Sequence, residues 1–253
     1  MAKPSGVSYP VTVDSTDAEG RTPMMVISLN VGLPATLRYG DKDVVTGGSK
    51  RPVPRAALRF LGFEGDGQGD PVNHGGRDKA VCVYPFDHYS HWERALGRGL
   101  EPGAFSENLT VSGAVETEVA IGDVFRVGGA TVQVSQPRTP CDKLAEKNGE
   151  RLLAKWVGQT GYTGFYLRVL SEGVVAAGDA FERVGRCQDP ISIAWVDDVI
   201  FDRTDAPDFV ERLANLPEFG ADGRALFARR LERMRRRGSA GRAVRTGEGV
   251  PWA

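Results

Sequence analysis

Cys141 sits in the stretch SQPRTPCDKLA, residues 135–145, with Arg-Thr-Pro before it and Asp-Lys after it. Cysteine usually behaves as a small buried hydrophobe, so these polar neighbours point towards chemistry. Pro137 cannot donate to a sheet ladder, and a strand is therefore predicted to end near Gln136. Thr139 reads as a helix N-cap, Pro140 as the first helical residue and Asp142 as the acidic partner in a capping-box-like turn. That register puts Cys141 in the first turn of a helix. Free N–H groups and the positive end of the helix dipole favour a thiolate there, and Arg138 adds a positive charge. A thiolate ligates a soft metal or attacks an electrophile. The competing reading is a small side chain filling a pocket beneath the helix. Cys82, among valines in KAVCVYP, reads as a strand core residue, and Cys187 as part of a linker.

Two further segments could bind something. GFEGDGQGDPVNHGGRDKAV, residues 62–81, has the glycines for close backbone approach and for an anion-binding nest of N–H groups. It lacks the dinucleotide fingerprint, the Gly-Lys-Ser/Thr of a P-loop and the spacing of a calcium loop, and a purely structural loop is the alternative. Lys50 and Arg51, after a Gly-Gly turn, could meet a phosphate or simply be solvated. His88 and His91 share a helix face beside Asp87; a metal site is conceivable, and a packed aromatic surface is the commoner use of such a pair. No Gly-x-Ser-x-Gly is present, and three histidines give poor support to a Ser-His-Asp triad.

The elements that must hold these residues are mostly strands. MMVISLNV reads as a buried strand. Hairpins are predicted around Gly40-Asp41, Gly128-Gly129 and Glu172-Gly173. Helices are predicted over 86–96 and from Cys141 towards Val157. Many strands with few helices suggest a mainly β fold of barrel type. The texture changes at RCQDP, residues 186–190. Beyond it FVERLANL and RALFARRLERMRRR read as amphipathic helices, with a third in ISIAWVDDVIF. The expected organisation is an extension over 1–23, a β domain over 24–186 and a small helical domain over 187–253. Arg224 to Arg245 holds nine arginines against the single Glu232. Without interleaved aromatics or a groove-binding motif, a solvated helix face is the simpler reading than nucleic-acid binding.

Composition narrows the class. With 253 residues, 41% hydrophobic, the chain can bury a substantial core, and 32 Gly with 15 Pro favour turns and short strands. A net charge of −1 gives no general attraction to nucleic acid or membranes. Three cysteines without a C-x-x-C pair argue against a disulfide framework and a structural zinc site. Neither a signal peptide nor a membrane span is legible, so a reducing cytoplasm is the expected compartment.

Taken together, SLNVG, KRPV, LGFEGDGQGDPVNHGGRDKAVCVYP, GAFSENLTVSG, IGDVFRVG, VSQPRTPCDKL and GFYLRVLSEGVVAAGD resemble the MOSC domain, named for the C-terminal domain of molybdenum-cofactor sulfurases, in its YiiM-type subgroup. The resemblance runs from about Met24 to Val184, more weakly into the tail. It implies a β-barrel followed by a three-helix domain. It implies a molybdopterin-type molybdenum cofactor with Cys141 as metal ligand, and a family-level association with pyridoxal phosphate. The implied activity is reduction of N-hydroxylated compounds such as hydroxylaminopurines and amidoximes, with electrons from a separate reductase. Lys50, Arg51 and Arg138, with Asn73, His74 and Lys79, would meet the pterin phosphate. Glu107 and Asn108 would orient the cofactor or the fold. A proton donor is needed, His74 first and Asp66 second. Ser106 stands where the family block usually has glycine. Two other functions fit a low-pKa thiol or a basic tail: a sulfur carrier using a Cys141 persulfide, and a non-enzymatic binding module. Oligomeric state, a homodimer included, is open.

Overall fold

The computed structural model describes residues 23–39, 41–204 and 207–245; the expected extension over 1–23 lies outside this apart from Thr22's successor, Pro23. The chain enters through β1 (Met25–Val31), whose five central residues are all buried. A hairpin, β2 (Ala35–Tyr39) and β3 (Lys42–Thr46), follows as expected. Three short strands come next: β4 (Arg51–Val53), β5 (Arg55–Arg59) and β6 (Gly62–Phe63). The glycine-rich stretch holds one helical turn, α1 (Pro71–His74), capped by Asp70, and then a 3-10 turn at Arg77–Lys79. β7 (Val81–Pro85) is fully buried and leads through another 3-10 turn into α2 (Tyr89–Leu96). β8 (Leu109–Ser112), β9 (Val124–Val127) and β10 (Ala130–Pro137) complete the first part of the sheet, β9 and β10 forming the Gly128-Gly129 hairpin.

Two helices, α3 (Asp142–Asn148) and α4 (Leu153–Thr160), occupy the span where one helix was expected. Gly149 explains the break: it closes α3 at φ 69°, a left-handed conformation that ends a helix at little cost to glycine. β11 (Phe165–Ser171) returns to the sheet, and β12 (Gly173–Ala176) and β13 (Phe181–Gly185) follow. The expected hairpin at Glu172-Gly173 does not form. β11 pairs with β10 and β7, whereas β12 pairs with β5 in a second sheet. The chain changes sheet at Gly173, where a Cβ would lie 2.2 Å from the Gly129 carbonyl carbon.

The main sheet has the order β13-β9-β10-β11-β7-β8-β1-β4, antiparallel except for the parallel β7–β8 pair. It curls back so that β1 meets the segment entering β13. Val26 donates to the Asp179 carbonyl, Gly178 to Val26 and Phe181 to Met24, with a bridge between Met25 and Ala180. The protein is mainly β with a helical C-terminal region, and the join is a few bonds rather than a ladder: among the described residues the sheet is barrel-like without being fully laddered shut.

After β13 come α5 (Ile193–Ile200), α6 (Pro207–Asn215) and α7 (Ala221–Arg245). Their apolar faces join the sheet's own core. Ile193, Val196, Val199, Val210, Leu213, Phe219 and Phe227 form one continuous cluster with sheet residues such as Val111, Phe125, Val134 and Leu167. Burying each such side chain is worth about 1.5–3 kcal/mol. Backbone bonds from Ile121 to Ile191 and from Ile193 to Val119 stitch the junction. The texture change at 186–190 therefore coincides with no break in packing. A second cluster of Tyr84, Tyr89, Trp92, Phe105, Leu144, Leu153 and Val157 supports the site from below.

Candidate functional site

Several parts of the chain converge on one cleft that is open to solvent. The end of β10 supplies Gln136 and Arg138, and the following turn supplies Thr139 and Cys141. α1 supplies His74, and the 3-10 turn after it Lys79. The loop after β3 supplies Thr46, Gly48 and Lys50. Ser106 and Asn108 come from the approach to β8. Cys82 of β7 and Tyr166 of β11, cross-strand partners, also line it. The cleft has two lobes that share Cys141, His74, Lys79, Lys143 and Tyr166; the inner one reaches Lys50, Asn108 and Arg138, the outer one Asn73, Gln136 and Asp142.

Cys141 sits two positions earlier in the helix register than the sequence suggested. α3 begins at Asp142, and Cys141 is itself the N-cap, with extended φ −124° and ψ 164°. Thr139 and Pro140 are non-helical, so the Thr139 capping reading fails; Pro137 still pairs with Phe165, which carries the strand one residue beyond Gln136. The thiol is nonetheless acidified. Burial opposes its ionisation, but a hydrogen bond with His74 and the Arg138 charge outweigh burial, and the Lys143 amide pulls the same way. Cys82 is the opposite case: burial pushes its thiol up. Burial also raises the Tyr166 phenol, so that side chain faces the cleft as a neutral hydroxyl.

Arg138 is 7% exposed, and its Nη1 has no hydrogen-bond partner among the described residues. A buried guanidinium nitrogen left unpaired is costly, and an anionic group in the cleft would satisfy it. Its backbone is fixed by donation to the Gly164 carbonyl at 3.0 Å.

The other residues singled out from the sequence divide into those at the cleft and those behind it. Lys50, Asn73, His74, Lys79, Asn108 and Arg138 line it with Cys141. Asp66 does not. Its side chain, 2% exposed, is ion-paired with Lys50 and accepts from Gly32 N–H at 2.9 Å and Asn108 Nδ2 at 2.8 Å. It reaches the site only through those two residues. Glu107, fully buried, accepts from Tyr89 Oη, Gly103 N–H, Phe105 N–H and Thr110 Oγ1, which fixes the turn before β8. Arg51 lies exposed on β4 opposite Val31, away from the cleft. His88 and His91 are not paired around a metal. His88 is 2.6 Å from Glu116 and stacks on Tyr162, and His91 packs edge-on against Trp92. Among the described residues no group of His, Cys, Asp or Glu is arranged to hold a metal by itself.

Several cleft residues escaped the sequence reading. Cys82 reads as an ordinary strand core residue and Tyr166 carries no signal in sequence; their pairing across β7 and β11 places both at the cleft. Lys147, on α3, is a supporting residue: it donates to the carbonyls of Gly48 at 2.8 Å and Gly103 at 2.5 Å and to Ser106 Oγ at 3.3 Å. Burial pushes its ammonium down to about 8. Ser106 holds φ 62°, the left-handed conformation that a glycine at that position would take freely.

Comparison with known proteins gives this geometry a family. A MOSC domain profile matches residues 70–182. The YflK protein of Bacillus subtilis is 48% identical over 210 residues, covering 83% of this chain and 95% of the relative. The chain belongs to the MOSC domain family. The crystal structure of YiiM from Geobacillus stearothermophilus superposes with a TM-score of 0.71 at 38% identity, over 83% of this chain and all of that one. A protein named reductase from Gibberella moniliformis is 32% identical over 172 residues; these are 66% of this chain and only 30% of that protein. MOSC domains are associated with molybdenum-cofactor binding. The site residues of this MOSC domain fit such a group: an acidified thiol, a buried arginine with an unpaired Nη1, and the cleft lysines Lys50, Lys79 and Lys143. No described helix is long and apolar enough to cross a membrane.

Proposed function

We propose that the protein is a molybdenum-cofactor-dependent reductase of N-hydroxylated or N-oxide compounds, hydroxylaminopurines and amidoximes among them. The observation that carries this reading is the pairing of an acidified Cys141 with an unpartnered Arg138 in one cleft. Cys141 thiolate would hold the metal, because a soft ligand suits a metal bound by dithiolene. Arg138, Lys50 and Lys79 would hold the pterin phosphate through charge-assisted bonds. When bound, the cofactor supplies the two-electron redox centre.

The chain's own residues do the rest. His74, which lines both lobes beside Cys141, is the group to hand a proton to the departing oxygen, which leaves as water. Asp66 supports this indirectly, since its carboxylate keeps Lys50 and Asn108 in position. The neutral Tyr166 hydroxyl can orient the substrate's N–OH. On this reading electrons would come from a separate reductase.

Cys141→Ser tests the reading. A serine hydroxyl is neutral at pH 7 and harder than a thiolate, so molybdenum content and reduction of benzamidoxime by dithionite-reduced viologen should both be lost. An N-cap serine is favourable, so the fold should persist. Full molybdenum occupancy and activity in the variant would overturn the assignment. Wild-type protein from a molybdenum-replete host that carries persulfide on Cys141 and no metal would make it a sulfur carrier instead.

A further inference from the structure

The start of the C-terminal helix is fixed against residues that line or back the outer lobe. Gly220 N–H donates to the Ser135 carbonyl at 2.8 Å, and Ala221 N–H to Asp78 Oδ2 at 2.8 Å. Gly220 lies so close to Gln136 that a Cβ there would be 2.2 Å from its Oε1. Two residues on, Asp222 Oδ2 is 2.6 Å from Lys79 Nζ, which also donates to the Asn73 carbonyl at 2.9 Å. The Lys79 side chain is 10% exposed and Asp222 72%. One ammonium that the cleft offers to an anion is thus already shared with a carboxylate from α7.

We propose that Asp222 is a positioning residue for the cleft: it holds and partly neutralises Lys79, so that α7 sets how strongly the cleft takes a phosphate group. The inference rests on reading the cleft as an anion site. Asn73 would keep Lys79 in place when Asp222 is removed, so the change is mainly that the Lys79 ammonium is no longer shared with a carboxylate and is free to meet a bound anion. An exposed carboxylate is screened by salt, which makes the effect modest and dependent on ionic strength.

The test is phosphate protection of Cys141 in the full-length chain, made in a host unable to synthesise the pterin cofactor. Alkylation of the Cys141 peptide by iodoacetamide is followed by mass spectrometry against inorganic phosphate concentration. In Asp222→Asn the half-protecting concentration should fall about two- to fivefold at low salt, the range expected of an exposed charge pair. Asp222→Glu should restore the wild-type value. In a Lys79→Met background the Asp222→Asn effect should vanish, which a merely structural role for Asp222 would not predict. An unchanged or higher half-protecting concentration in Asp222→Asn, or an effect that survives Lys79→Met, overturns the role of Asp222. Absence of protection in the wild type overturns the anion site as well. The titration involves no metal, so a failure of molybdenum binding through Cys141 would appear separately.

Discussion

Cys141 and His74 line both lobes of the cleft together, and the influence of His74, with the Arg138 charge, overcomes the effect of burial on the thiol. The two residues are 67 positions apart in sequence, taking 141 − 74 from their numbers. At neutral pH, Cys141 should therefore alkylate faster than Cys82, whose thiol is raised by burial, and faster than Cys187. His74→Ala should move the Cys141 alkylation midpoint to higher pH. Rates for each cysteine peptide across pH 5–10 would check both statements; faster reaction at Cys82 would contradict them.

Arg138 should lower the stability of the empty protein. Its Nη1 is buried without a partner, and removing such a charge relieves its desolvation. Arg138→Met should raise the stability of cofactor-free protein by about 1–3 kcal/mol while abolishing cofactor retention. Thermal melting and pterin content measured on the same preparations would show the two effects with opposite sign.

Asp197 makes stability depend on pH. It is 1% exposed on α5, accepts from Thr163 Oγ1 at 2.6 Å, and burial raises its pKa to about 8. The folded chain thus keeps a proton that the unfolded chain loses near the ordinary carboxylate value. Its contribution is fully present below about pH 4 and declines as pH rises to about 8. Asp197→Asn should be more stable than wild type at pH 8, by an amount on the order of a few kcal/mol that shrinks towards pH 5. Melting curves of both proteins over that range would reveal a gap that widens with pH, and a constant gap would refute the argument.

A chain stopped after Arg186 should not fold cooperatively. It would lose Ile193, Val196, Val199, Val210, Leu213, Phe219 and Phe227 from the main cluster. At about 1.5–3 kcal/mol each, that loss exceeds the 5–15 kcal/mol stability typical of a domain at most values in the range. A sharp thermal transition in the 1–186 fragment would show instead that the sheet is self-sufficient.

Much of the architecture was legible because its signals are local. The β9–β10 hairpin follows from alternating valines around Gly128-Gly129, and α2, α5 and α6 follow from amphipathic patterns. Cys141 stood out by the company it keeps in sequence. What could not be read was whatever depends on distant segments meeting. β12 has the pattern of a hairpin partner, yet its partner is β5, over a hundred residues earlier. Asp66 and Glu107 have the residue type of proton donors, but bonds from Gly32, Asn108, Tyr89 and Thr110 use up their oxygens. Lys147 looked like any helix-surface lysine, and only folding supplies its three acceptors. The tail looked detachable because Arg-rich segments are usually solvated. Several of its arginines instead bond within the chain, Arg230 to Asp202 and Arg235 to Glu211 among them.

Where β11 passes into β12, Gly173 and Gly129 touch backbone to backbone, and Gly129 N–H donates to the Val174 carbonyl at 2.9 Å. Two turns from separate sheets are riveted there without any side chain. A methyl group on Gly173 would fall on the Gly129 carbonyl, which is main chain in every possible variant, so no second substitution at the facing position could make room for it. Such a lesion can be repaired only by moving one sheet relative to the other. Gly173→Ala should therefore behave as a defect without intragenic suppressors nearby, in contrast to an ordinary core mutation, which a neighbouring side chain can shrink to accommodate.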